Sequence, residues 1–216
     1  MRKIYVFIML VGLLVIISHS LRAAGLGIAF RYGVGSVDYD LYDGDASHFG
    51  INFVFDSNVA KNSVFNYRLN AGVEFFEHSY DATYDYGYLY TETEYNEGIR
   101  IITDHTFGFG IVKSRVVRLW LGPNIRFGFV SADEAGLCVG AGLTALGLNF
   151  NFGPVFTLGV EAGYQFYADL YFDDVVSNEY VEDYYLYEGS SSGANNMFVL
   201  KISILFRIHD TYDDFF

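Results

Sequence analysis

The sequence predicts an all-β chain folded as one eight-stranded antiparallel up-and-down barrel, with its bulky apolar side chains turned outward. Three observations predict this. Apolar residues recur at every second position in eight separate stretches, which is the period of a strand and not of a helix. The opposite face of each stretch is mostly Gly, Asn, Thr and Ala with one or two charges. Among 216 residues there are 19 Tyr, 21 Phe and 23 Gly but only 2 Pro, a composition that suits many hydrogen-bonded strands.

The N-terminus reads as a segment apart. Arg2 and Lys3 precede the apolar run Ile4 to Ile17, and small residues follow up to Ala23-Ala24. This is the layout of a secretory signal peptide over residues 1–23, with cleavage after Ser20, Ala23 or Ala24. A short membrane anchor is the alternative. Residues 24–216 then form the barrel domain.

The alternation begins at Leu26 to Val34, where Leu26, Ile28, Phe30, Tyr32 and Val34 oppose Gly27, Ala29, Arg31 and Gly33. It returns in Phe49 to Phe55 and in Phe65 to Phe76, the latter with Arg68 and Glu74 on its polar face. Ile99 to Ile111 carries Arg100 and Asp104 on that face, with His105 on the apolar side, an odd placement that hints at a bulge. Leu119 to Val130 sets Asn124 and Arg126 against Ile125, Phe127 and Phe129. Leu137 to Phe152 slips phase near Ala145-Leu146, which predicts a bulge there. Phe156 to Tyr167 carries Glu161, Gln165 and Tyr167 on the polar face. Phe198 to Ile208 closes the set, with Leu200, Ile202, Ile204 and Phe206 opposing Lys201, Ser203 and Arg207.

Alternation alone does not say which face is inside, and a soluble barrel of the lipocalin kind would turn the apolar face in. Two arguments go the other way. The interior of an eight-stranded barrel is just wide enough for side chains to fill. Gly, Asn and Thr fit it, whereas Leu, Ile and Phe on every strand would overfill it. A water-facing exterior would also carry more charge than this polar face does. Apolar outside and small polar inside is the transmembrane arrangement. The connections alternate short and long, which places short turns on the periplasmic side, together with both termini, and long loops outside the cell. Aromatic residues gather at both ends of the strands, Tyr32, Phe75, Phe129, Tyr164 and Phe166 at one and Phe55, Phe65, Phe109, Phe152 and Phe206 at the other. Two such girdles are expected at the two headgroup levels.

On this architecture the chain resembles the small eight-stranded outer-membrane β-barrel proteins of the OmpA, OmpX and OmpW type, over everything after residue 23. The resemblance implies a bacterial outer-membrane location and contact with outer-membrane lipid. It also implies a last strand read by the barrel insertion machinery, where Lys201, Ser203, Phe206 and Ile208 match the family's spacing with Ser in place of Gly. The family usually stops there on an aromatic, whereas here eight residues follow Ile208, ending Phe215-Phe216. An OmpW-like passage for small apolar molecules or ions is the alternative function. That class uses an apolar lumen, and this lumen reads as charged.

Inward parity falls on Arg31, Arg68, Glu74, Arg100, Asp104, Arg126, Glu161, Lys201 and Arg207, six cations against three acids. Hairpin geometry pairs Glu74 with Arg100 and Glu161 with Lys201. As a network these charges fill and rigidify the lumen; the competing reading is a gated, anion-preferring pore.

The expected loops hold many acids, Asp38, Asp40, Asp43 and Asp45, then Glu77, Asp81, Asp85, Glu92, Glu94 and Glu97, then Asp133 and Glu134, and later Asp169 to Glu188, with no Lys or Arg among them. Tyrosines interleave, above all Tyr84, Tyr86, Tyr88, Tyr90, Tyr184, Tyr185 and Tyr187. The alternation from Tyr84 to Tyr90 predicts that strands three and four continue beyond the membrane as a protruding sheet. Such a surface reads either as a solvated, self-repelling coat or as a platform for basic host or envelope proteins. A formal net charge of −13 disfavours nucleic acid.

No catalytic, metal or cofactor site is expected. Asp38-x-Asp40-x-x-Asp43-Gly44-Asp45 has neither the spacing nor the closing Glu of a calcium loop. Ser47-His48 and His78-Ser79 are adjacent pairs whose side chains point apart, which argues against a hydrolase. Cys138 stands alone and reads as a small lumen filler. The chain is expected to be monomeric.

Overall fold

A computed structural model describes residues 24–39, 42–59, 64–85, 89–132, 134–172 and 192–208. The segments read as signal peptide, Tyr86, Tyr88, Tyr184, Tyr185 and Tyr187 lie outside the described residues.

Eight strands follow in chain order: β1 (Gly25–Tyr39), β2 (Tyr42–Asp56), β3 (Phe65–Asp85), β4 (Leu89–Lys113), β5 (Val117–Ser131), β6 (Ala135–Phe152), β7 (Phe156–Tyr171) and β8 (Ser192–Arg207). Each pairs antiparallel with the next, and β8 returns to pair with β1, closing the barrel. Closure removes the two sheet edges that an open eight-stranded meander would expose. Arg31 of β1 stands opposite Lys201 of β8 at the seam.

The strands run farther than the hydrophobic alternation reaches. The long loop expected between strands one and two is largely strand, and strands three and four run on as the protruding sheet that the alternation from Tyr84 to Tyr90 predicts. β1 and β2 pair up to Tyr39 opposite Tyr42, and β3 and β4 up to Asp85 opposite Leu89. Asp38, Asp43, Asp45, Glu77, Asp81, Glu92, Glu94 and Glu97 are therefore strand residues. The physical reason is that both faces of a strand beyond a membrane meet water, so the two-residue contrast fades while the backbone ladder continues.

Short turns close the other end. Gly153, with φ of 62°, supplies the left-handed residue of the turn between Phe152 and Phe156, a conformation costly for any other side chain. The turn after β2 folds back over the barrel mouth. Asn58 donates its backbone N–H to Asp56 Oδ1 (2.9 Å), and Val59 is fully buried against Ala29, Val54 and Leu205.

The phase slip expected near Ala145 is present as a register shift between Thr144 and Leu146 against β7. Two further shifts occur, at Gly110/Val112 and at Trp120/Gly122. None falls at His105. The β3–β4 register runs unbroken from Phe65 opposite Phe109 to Asp85 opposite Leu89, and His105 does face outward. Its ring is satisfied there by Tyr67, whose hydroxyl lies 2.7 Å from His105 Nδ1, with Phe127 edge-on to the ring.

The polarity of the wall is settled by exposure. Ile28, Phe53, Ile101, Phe127, Phe166, Ile202 and Phe206 lie outside, Phe206 at 57% and Ile101 at 61%. Arg68, Glu74, Arg100, Asp104 and Arg126 are at 0%. An exterior this apolar around an interior this charged is the inverse of a water-soluble barrel and the arrangement of a transmembrane one.

The interior also holds more than small polar groups. Trp120 is fully buried, and the positions facing its ring are Gly108 and Gly147. A Cβ on Gly147 would sit 2.2 Å from Trp120 Cε2. Replacing Gly147 by Val is expected to destabilise the barrel by about 1–3 kcal/mol through overpacking. Urea unfolding in detergent checks this, and a Gly147→Val/Trp120→Leu double variant should recover most of the loss.

Candidate functional site

Two regions carry the chemistry, a packed ion-pair lumen and an acidic outer end.

The lumen is organised around Glu74 and Asp104, which β3 and β4 place on the inner wall, Glu74 opposite Arg100 and Asp104 opposite Asn70. Arg31 reaches across from β1 and bridges them, its Nε 2.8 Å from Glu74 Oε1 and its Nη1 paired with Asp104. Arg126 of β5 pairs with the other oxygen of Glu74. Lys201 of β8 lies 3.2 Å from Asp104 and 3.9 Å from Glu161. Arg68 continues the chain, 2.8 Å from Glu161 and 3.2 Å from Asp56, and donates to Ser203 Oγ at 2.7 Å. Gln165 accepts from Arg31 and Arg126 and donates to Asn124 at 3.0 Å. Asp56, Arg68, Glu161, Lys201, Asp104, Arg31, Glu74 and Arg126 thus form one alternating sequence of charges from the lower mouth to mid-barrel. A buried charge is tolerated only when paired and hydrogen-bonded, and each neighbour here has the opposite sign.

Above this lies a second cluster. Arg100 donates to Asp169 through Nε at 3.0 Å and again through Nη2. Its guanidinium carbon sits 3.8 Å from the centre of the Phe76 ring and 5.0 Å from that of Tyr167. Asn195 donates to Asp169 at 3.0 Å. His78 lies between Arg100 (3.1 Å) and the Tyr39 hydroxyl (2.7 Å). Val37, Ala46, Cys138, Tyr167, Met197 and Val199 form an apolar layer at this height, with Cys138 fully buried in it.

Several expectations about this site need correcting. Glu74 is opposite Arg100 in register, yet it pairs with Arg31 and Arg126. In a closed barrel, residues level on adjacent strands project side by side, whereas long side chains from across the lumen meet head-on. The expected pairing of Glu161 with Lys201, opposite it in register, is present at 3.9 Å, with closer partners in Arg68 for Glu161 and Asp104 for Lys201. Asp169, expected in an outer loop, is a buried wall residue, and Asp56, the last residue of β2, is buried too. With these two, six buried cations (Arg31, Arg68, Arg100, Arg118, Arg126 and Lys201) face five buried acids (Asp56, Glu74, Asp104, Glu161 and Asp169) among the described residues. The excess that suggested an anion pore is largely gone. Arg207 is only partly buried, near the lower mouth, and donates to Thr157 Oγ1 at 3.3 Å.

Sequence reading missed Arg118, Trp120, His48 and His78 as lumen residues. The inward parity of each was available, but Trp120 and Arg118 sit beyond a bulge, and the two His lie where the apolar alternation stops. About 10 Å³ of space remains beside Glu161, Gln165 and Lys201, room for one water.

At the outer end Tyr90 and Tyr95 are exposed, Tyr95 at 64%. Tyr84 lies on β3 opposite Tyr90. Within the protruding β3–β4 ribbon Tyr80 donates to Glu94 Oε2 at 3.2 Å and Thr93 to Asp81 at 2.8 Å, and Asn96 ties the ribbon to β1 by donating to the Tyr39 hydroxyl at 3.4 Å. Asp38 stands opposite Asp43 in the first hairpin. At the other end of β8, Lys201 and Ser203 point inward, Phe206 points outward, and Ile208 donates its backbone N–H to Ala24 O at 2.9 Å.

No family model matches the chain, and no curated protein is significantly similar to it. Among solved structures it is similar to Neisserial surface protein A, at 9% identity and a TM-score of 0.39, over 85% of this chain and 97% of that one. It is also similar to Ail, the attachment invasion locus protein of Yersinia pestis, solved in complex with the heparin analogue sucrose octasulfate. There the identity is 16% and the TM-score 0.31, over 85% of this chain and 99% of that one. The eight-stranded barrel itself stands on this chain's own strand order and closure.

Proposed function

We propose that this chain is a non-enzymatic bacterial outer-membrane barrel. Residues 1–23 direct its export, and residues 24–216 span the outer membrane as a monomer inserted by the barrel machinery through Lys201, Ser203, Phe206 and Ile208. Its role is structural and surface-interactive, with the acidic, Tyr-rich outer end contacting a basic host or envelope protein. The observation that carries the reading is the inverted polarity of the wall, which leaves only the two ends of the barrel to meet water.

The charge of the outer end supports a basic partner. Between Arg68 and Arg100, and again between Arg126 and Lys201, the sequence has no Lys or Arg. A polyanion of the kind held by Ail would meet like charge here. Tyr adds broad contact area at low entropy cost, and carboxylates select cations. The charged lumen serves as a stiffening core that holds this platform upright.

The second reading is a narrow channel, since charges do line the lumen. Against it stand the alternating pairs and the side chains of Trp120, Phe76 and Tyr167, which fill the bore. Two measurements test the proposal together. Heat-modifiable gel mobility with membrane fractionation is expected to place the chain in the outer membrane. Planar bilayers containing the purified barrel are expected to show no reproducible unitary conductance. Steady channels would favour the second reading, and recovery from the periplasm without detergent would end the first.

A further inference from the structure

The inward charges do not balance evenly along the bore. Lys113, Arg118 and Arg207 gather at the lower mouth, with Arg115 exposed in the turn beside them. The carboxylate that the register places among them is Asp56, opposite Gly25 as Arg207 is, and Arg68 holds it at 3.2 Å. Lys113 stands directly opposite Arg118. A Cβ on Gly110 would lie 3.2 Å from Arg118 Nη2 and 3.3 Å from Lys113 Cγ, so both side chains lean over the same glycine. Like charges opposed on neighbouring strands destabilise a sheet, and an anion placed with them offsets that cost.

Four consecutive strands build one arc of hydrogen-bonding groups here. Arg118 of β5 is opposite Asn149 of β6, and Asn151 of β6 is opposite Thr157 of β7. Thr157 donates to Asn151 Oδ1 at 2.8 Å and accepts from Arg207 Nε of β8 at 3.3 Å. Asn149 is 0% exposed, and neither its Nδ2 nor its Oδ1 has a partner among the described residues. Asn151, at 7%, has spent its oxygen on Thr157 and keeps an unpartnered Nδ2. Buried amide groups left without partners are costly, so something that accepts hydrogen bonds belongs between them.

We infer that this arc is a binding site for a phosphate-class oxyanion at the lower mouth of the barrel. Arg118 and Arg207 flank the anion, Lys113 adds charge from the rim, and the side-chain amides of Asn149 and Asn151 donate to its oxygens. An oxyanion only accepts, and hydrogen bonds to a charged acceptor are about twice as strong as neutral ones. Water would satisfy the amides but leave the cations uncompensated. The phosphate group has two sources, free inorganic phosphate or the headgroup of a phospholipid, since Phe152, Val155 and Val116 form an exposed apolar rim around this mouth. The site lies at the end of the barrel opposite the Tyr-rich platform and stands independently of the surface-interaction reading.

The test uses the purified full-length barrel in a maltoside detergent, which contains no phosphorus, at constant ionic strength. Phosphorus NMR line broadening is followed with inorganic phosphate in one arm and with soluble dihexanoyl phosphatidylglycerol in the other. Asn151→Asp keeps the shape of the side chain but turns a donor into a carboxylate, and is expected to weaken binding at least ~10-fold. Asn149→Leu leaves every charge in place and is expected to weaken it about fivefold. Asn70→Leu is the control, because Asn70 is equally buried and unpartnered but lies opposite Asp104, outside the arc. It is expected to leave binding unchanged. Heat-modifiable mobility shows that each variant is folded, and Asn151→Asp, at the rim, carries the comparison should Asn149→Leu fail to fold. Variant-sensitive binding of inorganic phosphate assigns the free anion, and variant-sensitive binding of the lipid alone assigns the headgroup. Binding of neither probe, or binding that Asn151→Asp leaves intact, overturns the site and gives the amides to water.

Discussion

Ile202→Arg is expected to stop the barrel from assembling stably in a bilayer. Ile202 lies on β8 between Phe30 of β1 and Val160 of β7, outward and well inside both aromatic girdles. An Arg near the bilayer midplane of a barrel costs about 2–4 kcal/mol, and near the interface far less. The contrast that makes the test specific is Tyr95→Arg, equally drastic in chemistry but placed on the protruding ribbon in water. That change should alter stability by no more than ~0.5 kcal/mol. Urea-dependent folding into vesicles, read by gel mobility, measures both. Should Ile202→Arg fold as readily as the parent, the outer wall meets water and the transmembrane reading fails.

Removing Glu74 is expected to have the largest effect of any single lumen change. Its carboxylate is the shared partner of Arg31 and Arg126, and all three side chains are buried. Arg31 retains Asp104, but among the described ion pairs Arg126 has no second carboxylate. Breaking a buried pair from one side leaves an uncompensated charge, at a cost of about 3–5 kcal/mol. Glu74→Leu should therefore lower stability by that amount. Glu74→Leu/Arg126→Met should recover much of it, because the orphaned charge goes too. Glu161→Gln is the milder comparison, since Arg68 keeps Asp56 and Lys201 keeps Asp104. Equilibrium unfolding in detergent gives all three, and a Glu74→Leu loss below ~1 kcal/mol would show that the lumen is hydrated enough to screen the pair.

The two predictions divide along the line between what was legible in the sequence and what was not. Parity in Phe198 to Ile208 already says that Ile202 and Lys201 take opposite sides of the wall. The volume argument says which side is which, so the outward prediction needed no coordinates. The same holds for the number of strands, for their antiparallel order, and for the slip near Ala145, where the alternation visibly changes phase. Strand length was less legible. Alternating apolar residues mark only the part of a strand that touches lipid, so the paired stretch Gly35 to Tyr39 read as loop, and only the alternation from Tyr84 to Tyr90 signalled that strands three and four run on.

Partnership across the lumen could not be read at all. Glu74 faces Arg100 in register yet belongs to Arg31 and Arg126, while Arg100 belongs to Asp169, 69 residues away in sequence. That β3 follows β4 to Leu89 while β5 stops at Ile99 is likewise something no stretch of residues displays alone. The sequence by itself determined which side chains face the bore and which face out, because parity is local to each strand. Only the closed barrel decided which of the inward charges meet. That depends on the stagger with which eight strands join into a ring, and stagger is a property of the whole sheet.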